Sequence, residues 1–210
     1  MIAQELSQRL IAALLILDES SDELRELDSA VGDGDLGVTV HAIVTSVQTA
    51  LRELPAGVTP DELLTILGTT VSTANPSTFG SLVGSGIGAG AKVVAGITDL
   101  SQVDFVRFGW AVTESIARRG KSAVGDKTVL DAIVPSLAAL EDSEATGAAA
   151  LELAIAAATV SIELTAGDVA KKGRASWAGE RGIGTSDAGA VAYLRFLEAL
   201  RASLSSGKLT

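Results

Sequence analysis

The chain has 210 residues, of which 47% are hydrophobic and 3% aromatic, with a formal net charge of −10 and no cysteine. The lack of cysteine excludes a disulfide framework, a thiolate metal site and a cysteine nucleophile. The acidic balance argues against nucleic-acid binding, which needs a basic surface. The N-terminal segment has no basic region or cleavage motif, and no run of about 18 apolar residues occurs, so we expect a cytoplasmic protein without a membrane span.

Apolar residues at three- and four-residue spacing predict amphipathic helices along most of the chain. Seven of the predicted helices cover residues 2–18, 39–54, 79–96, 101–119, 126–140, 146–169 and 186–205. Another begins at Pro60, after the N-cap Thr59. These are eight helices with no convincing strand and no linker rich in proline or serine. We therefore predict an all-α fold with a single domain over residues 1–210.

Residues 28–37 (DSAVGDGDLG) separate the first two predicted helices and contain three carboxylates and three glycines. Such a segment is unfavourable in a helix interior and in a strand. Asp33 and Asp35 can face one ion, and Asp28 can reach it from the preceding turn. Carboxylate oxygens favour Mg²⁺ or Ca²⁺. The alternative is a solvated acidic loop, whereas the residue order does not match an EF-hand.

Four polar, glycine-rich breakers alternate with pairs of predicted helices, and they cover residues 28–37, 75–78, 120–126 and 173–189. In an up-and-down helical domain alternate connections lie at the same end, so we expect these four to meet. Lys127, Arg174 and Arg181 are candidate anion partners there, and Thr128 begins a helix that could receive a phosphate oxygen. Carboxylates, cations and helix N-termini together indicate a phosphate site. By itself, the sequence around Thr128 would indicate only a helix cap, and no P-loop pattern is present.

The glycines of the predicted helix 79–96 have a different interpretation. We expect those from Gly84 onward to allow close packing between helices rather than to bind a ligand. The aliphatic helix faces could also suggest a carrier of apolar ligands, although such faces usually form a core.

Three separated motifs stand out along the chain: residues 27–37 (LDSAVGDGDLG), 125–132 (GDKTVLDA) and 173–184 (GRASWAGERGIG). In this order they resemble the motifs of DhaL, the nucleotide-binding subunit of dihydroxyacetone kinases. The resemblance covers nearly the whole chain. It implies an eight-helix antiparallel barrel with ADP or ATP bound by the loops at one rim.

The resemblance also implies roles for individual residues. Asp28, Asp33 and Asp35 match ligands of two Mg²⁺ ions, and Arg174 matches a phosphate-side arginine that is the one candidate for a catalytic residue besides the metal and phosphate ligands. The implied nucleotide-binding positions are Leu36, Gly37, Val38, Thr39, Asn75, Ser77, Thr78, Gly80, Gly120, Thr128, Val129, Arg174, Asp187, Ala188 and Gly189.

The implied reaction is phosphoryl transfer from a Mg²⁺-bound nucleotide to a hydroxyl of a short ketose, either dihydroxyacetone or a related tetrulose. A separate DhaK-type subunit or domain would hold the ketose through a histidine that this chain does not supply. Free ATP could be the donor, or a DhaM-like protein of the phosphotransferase system could rephosphorylate a bound nucleotide. The sequence of this subunit leaves both open.

Several positions depart from the family pattern. Leu36 stands where the family usually has a phosphate-contacting histidine, and the only histidine, His41, is expected inside the next helix. Pro76 removes one amide donor from the second loop, while Thr185 and Ala188 replace a common histidine and proline. An alternative function is therefore a non-catalytic Mg-nucleotide-binding paralogue with a regulatory or interaction role.

Overall fold

The computed structural model describes residues 1–205, and these residues fold into nine α-helices and one 3₁₀ segment without any strand. The predicted all-α class is confirmed, whereas the predicted domain of residues 1–210 extends beyond the described part. In chain order the elements are α1 (Ala3–Asp18), α2 (Ser21–Val31), α3 (Leu36–Arg52), α4 (Pro60–Thr73), α5 (Thr78–Val93), α6 (Gln102–Gly120), α7 (Leu130–Glu141), α8 (Gly147–Ala166), the 3₁₀ segment (Arg174–Gly182) and α9 (Ala188–Ser205).

Eight of the helices form a closed ring. Going from α1 directly to α3 and then in chain order to α9, each helix packs against the next, and α9 returns to α1. His41 Nδ1 lies 2.9 Å from Asp18 Oδ1, which places the start of α3 beside the end of α1, so these two helices run antiparallel. The ring agrees with the eight-helix barrel that the family resemblance implies.

The ninth helix, α2, lies outside the ring and packs against α3, α9 and the 3₁₀ segment. It was not among the eight predicted helices. Leu24 is its only buried residue, and Leu27 packs half-buried against the core, so the apolar stripe of α2 is narrow among charged neighbours. A Cβ on Gly37 would overlap the carbonyl oxygen of Ser21, so glycine at this position lets the start of α3 approach α2 closely.

The glycines of α5 let this helix pack closely against both of its neighbours in the ring. A Cβ on Gly84 would lie 2.5 Å from the carbonyl oxygen of Gly68 in α4, and a Cβ on Gly90 would lie 2.5 Å from the ring of Phe108 in α6. The prediction of helix packing is confirmed for Gly84, Gly86 and Gly90, whereas a Cβ on Gly88 would meet no atom within 4 Å. Gly80 also faces α4, because its Cβ would lie 3.2 Å from the carbonyl oxygen of Val71.

Within residues 1–205, α8 is the one helix that is long and apolar enough to span a membrane by length and composition. Length and composition alone are weak evidence, because helices of soluble proteins also meet them. In this fold α8 packs against α7 and α9 in the ring. Its outer side exposes Leu153, Val160 and Leu164.

Candidate functional site

The segments that precede α3, α5, α7 and α9 meet at one end of the ring, as the sequence predicted. Asn75 Nδ2, before α5, donates a hydrogen bond of 2.9 Å to Thr39 Oγ1 in α3. A Cβ on Gly189 in α9 would contact the ring of Phe79 in α5. Arg174 in the 3₁₀ segment reaches the loop before α3. This end of the ring carries the candidate functional site.

Three aspartates form a cluster between α2 and α3. Asp28 lies in the last turn of α2, while Asp33 and Asp35 lie in the connection to α3, with Gly34 between them at a φ of +73°. One carboxylate oxygen from each aspartate lies within 4.8 Å of the others. Asp28 Oδ2 also accepts a hydrogen bond of 3.2 Å from the backbone N–H of Leu36, which fixes it at the start of α3. Three converging carboxylates are a donor set that fits Mg²⁺.

Arg174 pairs with two members of this cluster. Its Nη1 donates to Asp33 Oδ2 and, at 2.6 Å, to Asp35 Oδ2. The hydrogen bond from Arg174 holds the pKa of Asp33 below its usual range, while the two carboxylates raise the pKa of Arg174. All three side chains are between 41% and 49% exposed, so the pairs can exchange with ions from solvent.

A cleft of about 490 Å³ lies beside Arg174 at the N-terminus of α5. Its lining residues are Pro76, Ser77, Thr78, Ser81, Leu82, Arg119 and Arg174. Ser77 is the N-cap of α5, yet within the described residues its side chain makes no capping hydrogen bond. The first helical bond runs from the Ser81 N–H to the Ser77 carbonyl, so the amides of residues 78–80 precede the helical ladder. Free amides and two arginines suit an anion.

The segment before α7 is held together by Asp131 rather than arranged around an anion. The Asp131 carboxylate is 1% exposed and accepts from the N–H groups of Gly125, at 2.5 Å, and Thr128, at 2.7 Å. The amide of Thr128, for which the sequence suggested a phosphate contact, is therefore already bonded within the chain. Its hydroxyl oxygen also accepts from the N–H of Leu130. The neighbouring Val129 is half-buried, as is Gly120 at the end of α6.

Lys127 does not serve as the anion partner that the sequence suggested. Its side chain is buried, and Nζ donates to the carbonyl oxygens of Ala166 at 3.0 Å, Asp168 at 2.9 Å and Gly182 at 2.9 Å. Burial lowers the pKa of Lys127, while the nearby carboxylates of Asp187 and Asp168 oppose that shift. Lys127 therefore joins the end of α8 to the end of the 3₁₀ segment. Arg181 is exposed, in agreement with a surface cation.

The residues at the start of α3 divide between surface and core. Leu36 is 6% exposed and Thr39 is fully buried, so neither side chain faces the cleft, and Thr39 acts through its hydrogen bond to Asn75. Gly37 is buried against α2, as described above. Val38 is the exposed member of the group. The side chains of Leu36 and Thr39 are thus packed within the protein, and the nucleotide-binding roles of these positions stay predictions.

Asp187 lies before α9, close to the aspartate cluster. Its Oδ2 accepts a hydrogen bond of 2.8 Å from the N–H of Ala190 and so caps α9. Burial, with the nearby charges of Asp131 and Asp28, raises the pKa of Asp187 to about 6. Ala188 is buried, and Gly189 lies against the ring of Phe79. These residues join α9 to the α5 end of the site.

Two residues at this end of the ring were not predicted from the sequence. Arg119, near the end of α6, lines the same cleft as Arg174. Asp131 orders the segment before α7 through its two backbone hydrogen bonds. An aspartate three residues after a threonine at a helix start is a local signal that could have identified Asp131. No comparable signal marks Arg119, which reaches the cleft through the fold.

The fold and site together define an all-α barrel domain with a cluster of three aspartates and an arginine-lined cleft at one rim. The DAK2 domain family matches residues 30–202. The chain belongs to this family.

Individual relatives agree with this assignment. The chain is 31% identical over 184 residues to the PTS-dependent dihydroxyacetone kinase ADP-binding subunit DhaL of Lactococcus lactis, covering 88% of each chain. It is 30% identical over 207 residues to human triokinase/FMN cyclase, covering 95% of this chain and 34% of that protein. This chain therefore spans about a third of the length of the triokinase/FMN cyclases that it matches.

A solved structure shares the fold. The dihydroxyacetone kinase from C. freundii, in complex with AMP-PNP and Mg²⁺, superposes with a TM-score of 0.76 at 22% identity. The match covers 95% of this chain and 34% of that one. The family resemblance and the all-α barrel inferred from the three motifs are confirmed.

Proposed function

We propose that this domain is the nucleotide-binding part of a dihydroxyacetone-type kinase that binds ADP or ATP with Mg²⁺. The observation that carries the proposal is the position of Arg174 between the aspartate cluster and the anion cleft at the α5 N-terminus. A nucleotide's phosphates need cationic and amide partners, and the bound cations need carboxylates. The related DhaL subunits are named ADP-binding, which supports the same ligand here.

The proposed mechanism gives each group of residues a distinct task. Asp28, Asp33 and Asp35 would hold two Mg²⁺ ions, and such ions, when bound, neutralise charge on phosphate oxygens. Arg174 would pair with a phosphate oxygen, and the first-turn amides of α5 would donate to another. A ketose hydroxyl oxygen would form the new bond to the terminal phosphorus and lose its proton to a base of the partner or to water, while the bond to the ADP oxygen breaks. The domain would contribute positioning and charge balance.

We further propose that the ketose, dihydroxyacetone or a tetrulose, is held by a DhaK-like partner that approaches this rim. The acceptor hydroxyl must reach the phosphorus, so the partner has to cover the cleft. Exposed apolar side chains at this end of the molecule suit such a contact: Trp177 is 81% exposed and Ile183 50% exposed. We place the reaction in the cytoplasm, where nucleotides are abundant. The phosphoryl donor is either ATP itself or a DhaM-like protein that rephosphorylates bound ADP.

A second candidate function is a Mg-nucleotide-binding module without turnover. The burial of Leu36 favours it, because no side chain from this position reaches the phosphates, where the family usually has histidine. Pro76 in the lining of the cleft also lacks an amide donor. Such a module would bind nucleotide and act by contacting another protein.

Titration of the domain with ADP in millimolar Mg²⁺, followed by calorimetry, tests nucleotide binding. We expect binding by the wild type and loss of binding by Asp33→Asn, because one cluster carboxylate is removed. Asp22→Asn is the matched control: Asp22 is an exposed aspartate on α2 that pairs with Arg25, so its removal should leave ADP affinity unchanged. Absence of ADP binding by the wild type would contradict both candidate functions.

Transfer is tested by adding a DhaK-type subunit with dihydroxyacetone or a tetrulose. Appearance of the phosphorylated ketose with ATP alone supports the ATP-dependent kinase. Product that forms only after a phosphotransferase-system donor is added supports the rephosphorylated-ADP route. Tight nucleotide binding without product under either condition supports the non-catalytic module.

A further inference from the structure

Arg174 borders two sites at once. Its guanidinium bonds to Asp33 and Asp35 in the aspartate cluster, and its side chain also lines the cleft at the N-terminus of α5. We propose that Arg174 is a displaceable counter-ion of the aspartate cluster, which leaves the carboxylates for the cleft when the cluster binds a divalent cation and the cleft binds phosphate. This inference rests on the proposed nucleotide-binding function. It predicts that the divalent cation and the nucleotide each favour binding of the other.

The charges at the cluster require a counter-ion in the free domain. Three carboxylates with ligand atoms within 4.8 Å of one another repel each other. Arg174 Nη1 bonds to one oxygen of Asp33 and one of Asp35, so a single cationic group neutralises two members of the cluster. A divalent cation coordinated by the same carboxylates would lie beside the guanidinium and repel it. Pairing with Arg174 and coordination of a cation therefore compete.

The local structure lets the side chain of Arg174 move while its backbone stays in place. The segment is fixed before Arg174 by a hydrogen bond from the Lys171 N–H to the Asp126 carbonyl, and after it by the bond from Lys127 Nζ to the Gly182 carbonyl. Gly173 precedes Arg174 at a φ of +65°, with open space around its Cβ position. Since the Arg174 side chain is 41% exposed, rotation about its own bonds is enough to turn the guanidinium towards the cleft.

The cleft offers the displaced guanidinium a new partner only when an anion is bound. Arg119 lines the same cleft and would repel Arg174 in the absence of an anion. A phosphate group between the two arginines and the α5 amides would reverse that repulsion into attraction. Arg174 is thus expected to oppose binding of the cation alone and to favour binding of the cation together with nucleotide, which makes the two ligands positively coupled.

The proposal predicts effects of opposite sign for a single substitution. In Arg174→Ala without nucleotide, we expect Mn²⁺, a hard-ion substitute for Mg²⁺, to bind about three- to tenfold more tightly, since two exposed ion pairs no longer compete. With Mg²⁺ present, we expect ADP to bind the same variant about tenfold or more weakly, because a charge-assisted contact to phosphate is lost. A residue that only bound phosphate would leave the affinity for Mn²⁺ alone unchanged.

The experiment measures free Mn²⁺ by electron paramagnetic resonance and ADP binding by calorimetry in the wild type, Arg174→Ala, Arg174→Lys and Arg52→Ala. Arg52 is an exposed arginine at the C-terminal end of α3, away from the site, so its removal controls for net charge and should change neither affinity appreciably. Arg174→Lys keeps the charge with a single-point donor and should resemble the wild type more closely in Mn²⁺ affinity. Circular dichroism establishes that each variant is folded.

Unchanged or weaker Mn²⁺ binding by Arg174→Ala would overturn the proposal, as would an equal gain in Arg52→Ala. Failure of nucleotide binding can be distinguished from failure of Arg174 displacement. If wild-type protein does not bind ADP with Mg²⁺, the proposed function is wrong. If wild-type protein binds ADP but Arg174→Ala shows no gain in Mn²⁺ affinity, only the displacement of Arg174 is wrong.

Discussion

Two groups of charged residues lie at the same end of the barrel. One group is buried and bonds to the backbone, and the other is exposed and forms ion pairs between side chains. In the buried group, Lys127 is 4% and Asp131 1% exposed, and each is bonded to backbone carbonyls or amides. In the exposed group, Asp33 and Arg174 are 49% and 41% exposed and are bonded to each other. Backbone partners cannot leave without unfolding, whereas side-chain partners can exchange with solvent ions.

The comparison assigns different tasks to residues that look alike in the sequence. A lysine and an arginine both lie in or beside polar, glycine-rich segments of this rim, and the sequence suggested both as anion partners. Lys127 is committed to three carbonyl oxygens from two other segments, so it maintains the rim. Arg174 holds only two half-exposed carboxylates, so it remains available to a ligand. Burial and partner type therefore separate structural from functional charges here.

The largest expected effect on stability comes from the buried group. Lys127→Met should lower the free energy of unfolding by about 2–4 kcal/mol, because buried carbonyl oxygens lose charge-assisted hydrogen bonds. Methionine retains most of the length of the side chain. Because Lys127 itself has a φ of +59°, neither residue gains an advantage from glycine-like backbone freedom. Urea unfolding followed by circular dichroism measures the change.

Lys171→Met is the matched control for that substitution. Lys171 also donates Nζ to a carbonyl oxygen, that of Gly125 at 2.7 Å, but its side chain is 61% exposed. We expect its removal to cost less than about 1 kcal/mol, since water can replace the lost donor. Similar losses in the two variants would show that burial does not distinguish these lysines.

The fold was largely predictable because eight stretches with apolar residues at helical spacing are separated by seven polar or glycine- and proline-containing connections. The exception, α2, has a single buried residue and is rich in charged side chains. Its short stripe of Leu24, Leu27 and Val31 at helical spacing is a local signal that could have identified it, whereas its packing on α3 and α9 came only from the structure. Close packing of α5 against another helix was predictable, since repeated glycines within a helix typically allow two backbones to approach each other. Which helix each glycine faces came only from the structure.

The aspartate cluster of the site could be predicted from the local sequence, whereas the roles of residues that bond to distant parts of the chain could not. Three aspartates within eight residues indicated a cation cluster, and their convergence agrees with that expectation. Lys127 was misjudged because its partners lie 39 to 55 residues further along the chain. The burial of Leu36 had a local signal, since it continues the buried stripe of Val40, Val44, Val47 and Leu51 at helical spacing.

A smaller, pH-dependent effect should come from Asp187. Burial raises its pKa in the folded state to about 6, above its value in the unfolded chain. The folded state therefore binds a proton more strongly, and the contribution of this group to stability is complete below about pH 4 and is lost as pH rises through about 6. We expect Asp187→Asn to remove a decline of roughly 1–3 kcal/mol between these two pH values.

Unfolding of the wild type and Asp187→Asn in urea at several pH values from 4 to 7 tests this expectation. Asparagine keeps a side-chain oxygen that can accept from the N–H of Ala190, so the cap of α9 can be retained. The informative quantity is the difference between the two pH profiles, because other carboxylates titrate equally in both proteins. Parallel profiles would mean that the pKa of Asp187 is the same in the folded and unfolded states, so that burial does not raise it.

The smallest expected effect on stability, and the sharpest test of the comparison, comes from the exposed group. Asp33→Asn should leave the urea midpoint of the free domain unchanged, because its ion pair with Arg174 lies in solvent. With Mg²⁺ and ADP at about 100 times the dissociation constant, the wild type should gain about 2.7 kcal/mol of stability and the variant should gain none. A clear loss of stability in the free variant would instead make the exposed pair a structural element like Lys127, and the division between the two charged groups would not hold.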